Sequence, residues 1–301
     1  MNMNTMLSEF IMFYCKDSKE TASNYRRIAK EFCTYTMEQR GCDMNELISD
    51  ANKRDILLYI QELESRGLSP YSINFYVSAI STFFKYLIEF DYRRRTNPCD
   101  TVQRLSTDGV EQKQEYLEES EYRALLQAIK VRTNKARKFD FTSARDTLLV
   151  TLNLSVGLRC SEALSLKVEQ FDSDIITVIG KGNKKRSFRV TSEVRQAFND
   201  YIKVRSQAFE DGQGDNGLLF VSITGKEMYV KDINKNLRKY CERANIVKDI
   251  TSHCLRRSCA TKYLNEGVPV AKVAALLGHS DVKTTMLYYK EDGSNFDFLG
   301  L

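Results

Sequence analysis

A polar, aperiodic stretch at residues 93–114, RRRTNPCDTVQRLSTDGVEQKQ, interrupts a chain whose flanks carry helical periodicity, and it constrains the fold more than any other feature. Pro98, Gly109 and the loss of an apolar repeat mark it as an interdomain linker. The 301 residues are therefore expected to form two units, 1–107 and 108–301, each long enough to bury a core. In the first unit, apolar residues recur three and four apart. The stripe Ile73, Val77, Ile80, Phe84, Leu87 and Ile88 predicts one helix, with Gly67 ending the helix before it, Ser69 as its cap and Pro70 in its first turn. Several short helices of this kind predict a small bundle.

Helical patterns resume at LEESEYRALLQAI and continue through SARDTLLVTLNLSVG. The single β signal is DIITVIGKGNKKRSFRVT, two β-branched runs around a Gly-rich polar turn, which predicts a hairpin over residues 174–191. The expected fold class is thus mainly α with one small β-sheet, in two domains. No wholly apolar run reaches membrane-spanning length and no export signal opens the chain, so a soluble, cytoplasmic protein without a membrane partner is expected. Eight cysteines without C-x-x-C spacing fit reduced thiols, and Cys254, Cys259 and His253 give only a weak zinc signal. The net charge of +5 is compatible with nucleic acid but does not identify it.

The chemistry-bearing residues come in four separated segments. GLRCSEALSLK opens a helix with Arg159 and places Glu162 one turn on; a guanidinium fork can bind two phosphate oxygens while the carboxylate holds it. Lys181, in the hairpin turn, sits where a thin backbone allows close approach to a ligand, and an ammonium there can protonate a leaving alkoxide. TSHCLRRSCATKYL puts His253 and Arg256 three apart at a helix start, with Thr251 or Ser252 as cap, an arrangement fit for an anion. LGHSDVKTTMLYYK carries His279, the second of only two histidines, and the doublet Tyr288 and Tyr289. Read alone, each segment has a plainer meaning: an ordinary ion pair, a solvated turn lysine, a surface histidine, a piece of core. Together they describe attack on a phosphodiester without metal or cofactor, with arginines stabilising charge on nonbridging oxygens, lysine and histidine moving protons, and tyrosine as nucleophile.

In that order the four segments, GLRCSEALSL, VIGKGNKKR, HCLRR and LGHSDVKTTMLYY, resemble the tyrosine site-specific recombinases of the phage integrase and Xer type, and residues 70–100 resemble their core-binding domain. The resemblance covers essentially the whole chain. It implies a helical, SAM-like core-binding domain that clamps DNA together with a mixed α/β catalytic domain. It implies Arg159 and Arg256 as the phosphate-clamping arginines, Lys181 as general acid towards the 5′ hydroxyl, His253 as phosphate ligand and proton-transfer group, His279 as hydrogen-bond donor, and Tyr288, nine residues beyond His279, as nucleophile. Two departures stand out: Arg257 occupies a position where the family usually has histidine, and Tyr289 and Lys290 follow the nucleophile in place of Thr-His.

The same resemblance implies strand cleavage through a 3′-phosphotyrosyl intermediate, a Holliday junction, and a homotetramer on paired sites in double-stranded DNA with a specific core sequence. The absence of room for the extra N-terminal arm-binding domain that many element integrases carry tilts the expectation towards a simple two-domain recombinase with a short core site, of a transposon or genomic island, used for integration, excision or rearrangement of a mobile element. A paralogue or a directionality factor stays open as a partner, and the apolar tail FDFLGL fits docking into a neighbouring protomer. Fourteen basic and fourteen acidic side chains in residues 1–107 leave that half neutral, so DNA contact there is expected from local patches: Arg26 and Arg27, or Arg93, Arg94 and Arg95. In the second half Lys184, Lys185, Arg186 and Arg257 are the further candidates. Two rivals remain. VPVAKVAALLGHSDVKTTMLYY also reads as the helix-turn-helix of a noncatalytic DNA-binding regulator, which leaves Arg159, Lys181 and the His253–Arg256 pair without a task. A type IB-like topoisomerase would keep the fold and lack strand exchange.

Overall fold

The computed structural model describes residues 2–14, 19–107, 115–131, 137–180, 184–209, 217–279 and 281–286. The chain divides into two compact units, Met1–Glu111 and Gln112–Leu301.

Five helices build the first unit: α1 (Met3–Tyr14), α2 (Lys19–Arg40), α3 (Met44–Asp50), α4 (Lys53–Ser65) and α5 (Pro70–Glu89). Asp43 and Asn52 cap α3 and α4 through their side chains, each answered by an acidic residue three positions on that accepts the cap N–H. Ser69 caps α5 with Pro70 in its first turn, as the sequence suggests. Ile73, Val77, Ile80, Phe84 and Leu87 are buried against α1, α2 and α4, while Ile88 at the end of the stripe is only half-buried.

Two expectations about residues 93–107 need correction. Arg93 is only 4% exposed: its guanidinium donates to the carbonyls of Ser49 and Ala51 at the end of α3, with Ala51 at 2.7 Å, and stacks over Phe84. It satisfies helix-end carbonyls that would otherwise be orphaned, and so is spent inside the unit instead of on phosphate. Nor is this stretch free of the first unit. Cys99 and Val102 are buried in its core, Asn97 donates to the Ser81 carbonyl, and Asn74 bonds both the N–H and the C=O of Leu105.

The second unit contains α6 (Glu119–Lys130), α7 (Arg137–Val156), α8 (Cys160–Leu164), a 3-10 turn at Val168–Asp172, strands β1 (Ile175–Ile179) and β2 (Lys185–Arg189), then α9 (Ser192–Ala208), α10 (Val230–Arg243), α11 (Ser252–Asn265), α12 (Val270–Leu277) and α13 (Lys283–Met286). Helix α7 packs against α6, α9 and α11, and its Leu148 and Leu152 join Tyr201, Phe220 and Leu255 in the core. The strands pair antiparallel from Ile175 opposite Arg189 to Ile179 opposite Lys185, so Ile176, Val178 and Phe188 point inward and Ile175 and Ile179 outward. Gly180 N–H to the Lys184 carbonyl, 2.8 Å, closes the turn.

Two glycines let the ends of α7 and α12 meet. Gly157 (φ +59) and Gly278 (φ +68) both adopt the left-handed conformation in which helices commonly end. A Cβ on Gly157 would stand 2.4 Å from Cδ2 of Leu277, and one on Gly278 would stand 3.0 Å from Cδ of Arg186.

Candidate active site

The site is built around one buried carboxylate. Glu162, the third residue of α8, is 3% exposed and accepts the backbone N–H of Arg159 at 2.9 Å, capping its own helix. The same carboxylate binds the guanidinium of Arg159 at 2.8 Å and that of Arg186 at 2.7 Å, and lies 4.0 Å from Arg256. Burial opposes its ionisation. Hydrogen bonds from Arg186 and the Arg159 N–H, with the charge of Arg186, nevertheless hold its carboxyl below the usual carboxylate range.

Arg256, on α11, is 4% exposed and donates 2.6 Å hydrogen bonds to the carbonyls of Gly157 and Leu277, at the ends of α7 and α12. Helix C-termini carry partial negative charge, so this cation is held by two helix ends as well as by Glu162. Arg186 donates to the Leu276 carbonyl and to Glu162, and its side chain is 11% exposed. This corrects its reading as a contact from the hairpin tip: β2 directs it inward, where protein acceptors take its guanidinium. Lys184 and Lys185 are exposed on the hairpin.

These groups line a cavity of about 730 Å³, joined there by His253, His279, Arg257 and Gly180. His253 is exposed at the start of α11. The side chains of Thr251 and Ser252 do not cap that helix as expected. Thr251 turns its hydroxyl to Cys254, and Asn234 of α10 supplies the acceptor for the Ser252 N–H at 2.9 Å. Arg257 donates to the Glu115 carbonyl at 3.0 Å, fastening the segment that enters α6. His279 follows the left-handed cap of α12, and its Nδ1 lies 2.7 Å from the Thr285 hydroxyl. Burial, with Arg256, Arg159 and Arg186 close by, pushes its imidazole down to about 4, so it is neutral at physiological pH.

Four of the six expected catalytic residues, Arg159, His253, Arg256 and His279, therefore converge on one cavity from three separate segments. Lys181 and Tyr288, with Tyr289, lie outside the described residues. In the first unit Arg26 and Arg94 are exposed; Arg27 binds Glu31 and the Tyr76 hydroxyl, and Arg95 lies 3.4 Å from Asp50. Cys254 and Cys259 are buried, and among the described residues no cluster of three His, Cys, Asp or Glu side chains is placed to hold a metal ion.

One basic surface escaped the sequence reading. Helix α10 buries Ile233, Leu237 and Tyr240 and exposes Lys231, Lys235, Arg238 and Lys239. Tyr240 and Asn236 bind Asp146 of α7, and Asn234 accepts the Ser252 N–H at the start of α11, the helix that carries His253 and Arg256. The spacing of Lys231, Lys235 and Lys239, four apart, carries the signal in the sequence.

A cavity lined by four arginines and one carboxylate, with both histidines of the chain at its edge, has the donors to hold an anion such as a phosphodiester. Residues 115–294 match the Phage integrase family and residues 8–89 match its N-terminal SAM-like domain, and the chain belongs to this family of tyrosine recombinases, site-specific enzymes that cleave and rejoin DNA. It is similar to the tyrosine recombinase XerD of Staphylococcus haemolyticus, with 28% identity over 293 residues that cover 95% of this chain and 94% of the relative. Among solved structures it resembles the XerA recombinase (25% identity, TM-score 0.51, covering 99% of this chain and 98% of that one). It also shares the fold of the Tn1549 transposon integrase in complex with transposon right end DNA (19% identity, TM-score 0.68, covering 100% of this chain and 98% of that one). Among the described residues no helix is long and apolar enough to cross a membrane.

Proposed function

We propose that the cavity takes the scissile phosphate of a specific core site in double-stranded DNA. Arg159 and Arg256 bind its nonbridging oxygens, with His253 and His279 as further donors. The Tyr288 oxygen gives its proton to His253 and bonds to phosphorus as the bond to the 5′ oxygen breaks, leaving a 3′-phosphotyrosyl link; Lys181 gives its own proton to the departing 5′ oxygen. The freed 5′ hydroxyl then attacks the phosphotyrosine of a partner duplex, so that two protomers on each of two sites, four in all, pass through a Holliday junction. The observation that carries this reading is the joint fixation of Arg159 and Arg256 by Glu162 on one wall of the cavity. Such preorganised donors stabilise developing charge because they need no rearrangement during reaction. The proposed use is integration, excision or rearrangement of a mobile element.

The test begins with DNA recovered covalently attached to the enzyme in its host. A plasmid carrying two copies of that sequence should undergo exchange through four-way junctions, equally well with and without chelator. Relaxation of a plasmid lacking the site, with no exchange, would make the enzyme topoisomerase-like, and binding without any cleavage would make it a regulator.

The exposed face of α10 is assigned to DNA phosphates beside the cavity. Each lysine lost from a phosphate contact removes roughly 0.9 from the slope of log K against log salt. Lys235→Ala with Lys239→Ala should thus flatten that slope by roughly 2 in titrations of the recovered duplex. An unchanged slope would put α10 away from the DNA.

A further inference from the structure

The family resemblance makes His279 a hydrogen-bond donor at the site but leaves open which ring nitrogen carries its proton and what holds it there. The structure gives an answer through Thr285. This residue, on α13, is 0% exposed, and its hydroxyl lies 2.7 Å from His279 Nδ1. A helical threonine hydroxyl commonly donates to the carbonyl four residues back. Among the described residues, no other partner takes the Thr285 hydroxyl. Among the described residues its single hydrogen therefore has one acceptor, the imidazole nitrogen. Were Nδ1 protonated, two donor hydrogens would face each other across this contact, or the hydroxyl hydrogen would turn into the core unmet.

We propose that Thr285 is a positioning residue: it donates to Nδ1 of His279 and locks the ring as the Nε2–H tautomer, so that the histidine meets the cavity as a neutral hydrogen-bond donor. The tautomer follows from the contact alone; its consequence for cleavage rests on the reading of the cavity as the phosphate site. Neutrality is consistent with the surroundings, since burial and three guanidiniums disfavour a further positive charge. A neutral ring keeps one donor and one acceptor, so fixing the tautomer decides which side faces phosphate. With Nδ1 as acceptor from Thr285, the nitrogen on the opposite side of the ring bears the hydrogen. That hydrogen suits a nonbridging oxygen, which accepts and cannot donate when ionised. The alternative tautomer would set a lone pair against a phosphate anion.

The measurement is nitrogen NMR of protein labelled at histidine, simplified because the chain has only two histidines. In DNA-free enzyme near neutral pH, His279 should show a protonated Nε2 and an unprotonated Nδ1. Thr285→Val, close in shape but without the hydroxyl, should let the ring populate the other tautomer. It should also slow covalent attachment to a nicked duplex by roughly 10–100-fold, the usual scale for losing a partner that orients an imidazole, with duplex binding retained. Thr285→Ser should restore both tautomer and rate. A protonated Nδ1 in the wild-type enzyme overturns the proposal without reference to any variant, as does a Thr285→Val protein with an unchanged tautomer. A shifted tautomer with a wild-type cleavage rate would leave the lock standing and remove His279 from the reacting phosphate.

Discussion

Tyr288→Phe should abolish strand cleavage while leaving the enzyme able to bind its site. The substitution removes one oxygen and keeps the aromatic body, so it takes away only the proposed nucleophile. Loss of a nucleophile in other enzymes lowers turnover on the order of 10⁴–10⁶-fold, because no neighbouring group replaces the missing bond to the reacting centre. Tyr289→Phe should cleave at close to the wild-type rate. A one-residue step in an α-helix is a turn of about 100°, so the proposed task falls to only one of the two adjacent tyrosines. Rapid quench of a radiolabelled, nicked duplex measures cleavage, and gel mobility of the intact duplex measures binding. An active Tyr288→Phe enzyme beside an inactive Tyr289→Phe enzyme would shift the nucleophile by one residue.

The second large effect is expected at Glu162, the carboxylate shared by Arg159, Arg186 and Arg256. Glu162→Ala leaves these cations around an empty position, two of them with little access to water. Removing one partner of a buried ion pair typically costs about 3–5 kcal/mol. In a unit of this size that lowers the thermal midpoint by roughly 6–20 °C. Cleavage should fall as well, since Arg159 loses the partner that orients its fork. The pH dependence has a definite sign. The Glu162 pKa in the folded state is below the ordinary 4.5, so its stabilisation is complete above that value and is lost as the pH falls further. Glu162→Gln should therefore flatten the acid limb of a stability curve while lowering stability at neutral pH. A midpoint equal to that of wild type at both pH values would mean that the arginines do not depend on the carboxylate.

Much of this site was legible in the sequence because its residues lie at fixed places within recognisable elements. Arg159 and Glu162 share the first turn of a helix, and His253 and Arg256 share another, so spacing alone put each pair together. The hairpin was legible from its two β-branched runs around a Gly-rich polar turn. What remained hidden depends on contacts between distant segments. Arg93 looks like the first of three equivalent arginines, yet the chain direction after α5 carries it to the carbonyls of α3. Arg186 stands in a run of basic residues, and only the inward face of β2 separates it from its exposed neighbours. Residues 96–107 have the composition of a linker, but Asn74 and Asn97 fasten them through backbone hydrogen bonds, which leave no apolar pattern to read. Thr285 was invisible as a partner of His279 because a buried hydroxyl within a short polar helix has no spacing signature of its own.

The central step of the proposed reaction is the joining of one tyrosine oxygen to DNA. A nicked duplex that loses its religation partner should trap the covalent intermediate; digestion of protein and DNA followed by peptide mass spectrometry then locates the attached nucleotide among the 16 tyrosines of the chain. The result predicted is a nucleotide on Tyr288, in wild-type enzyme and in chelator alike. A trapped complex with its nucleotide on any other residue, or no covalent complex from enzyme that binds the duplex, would contradict it.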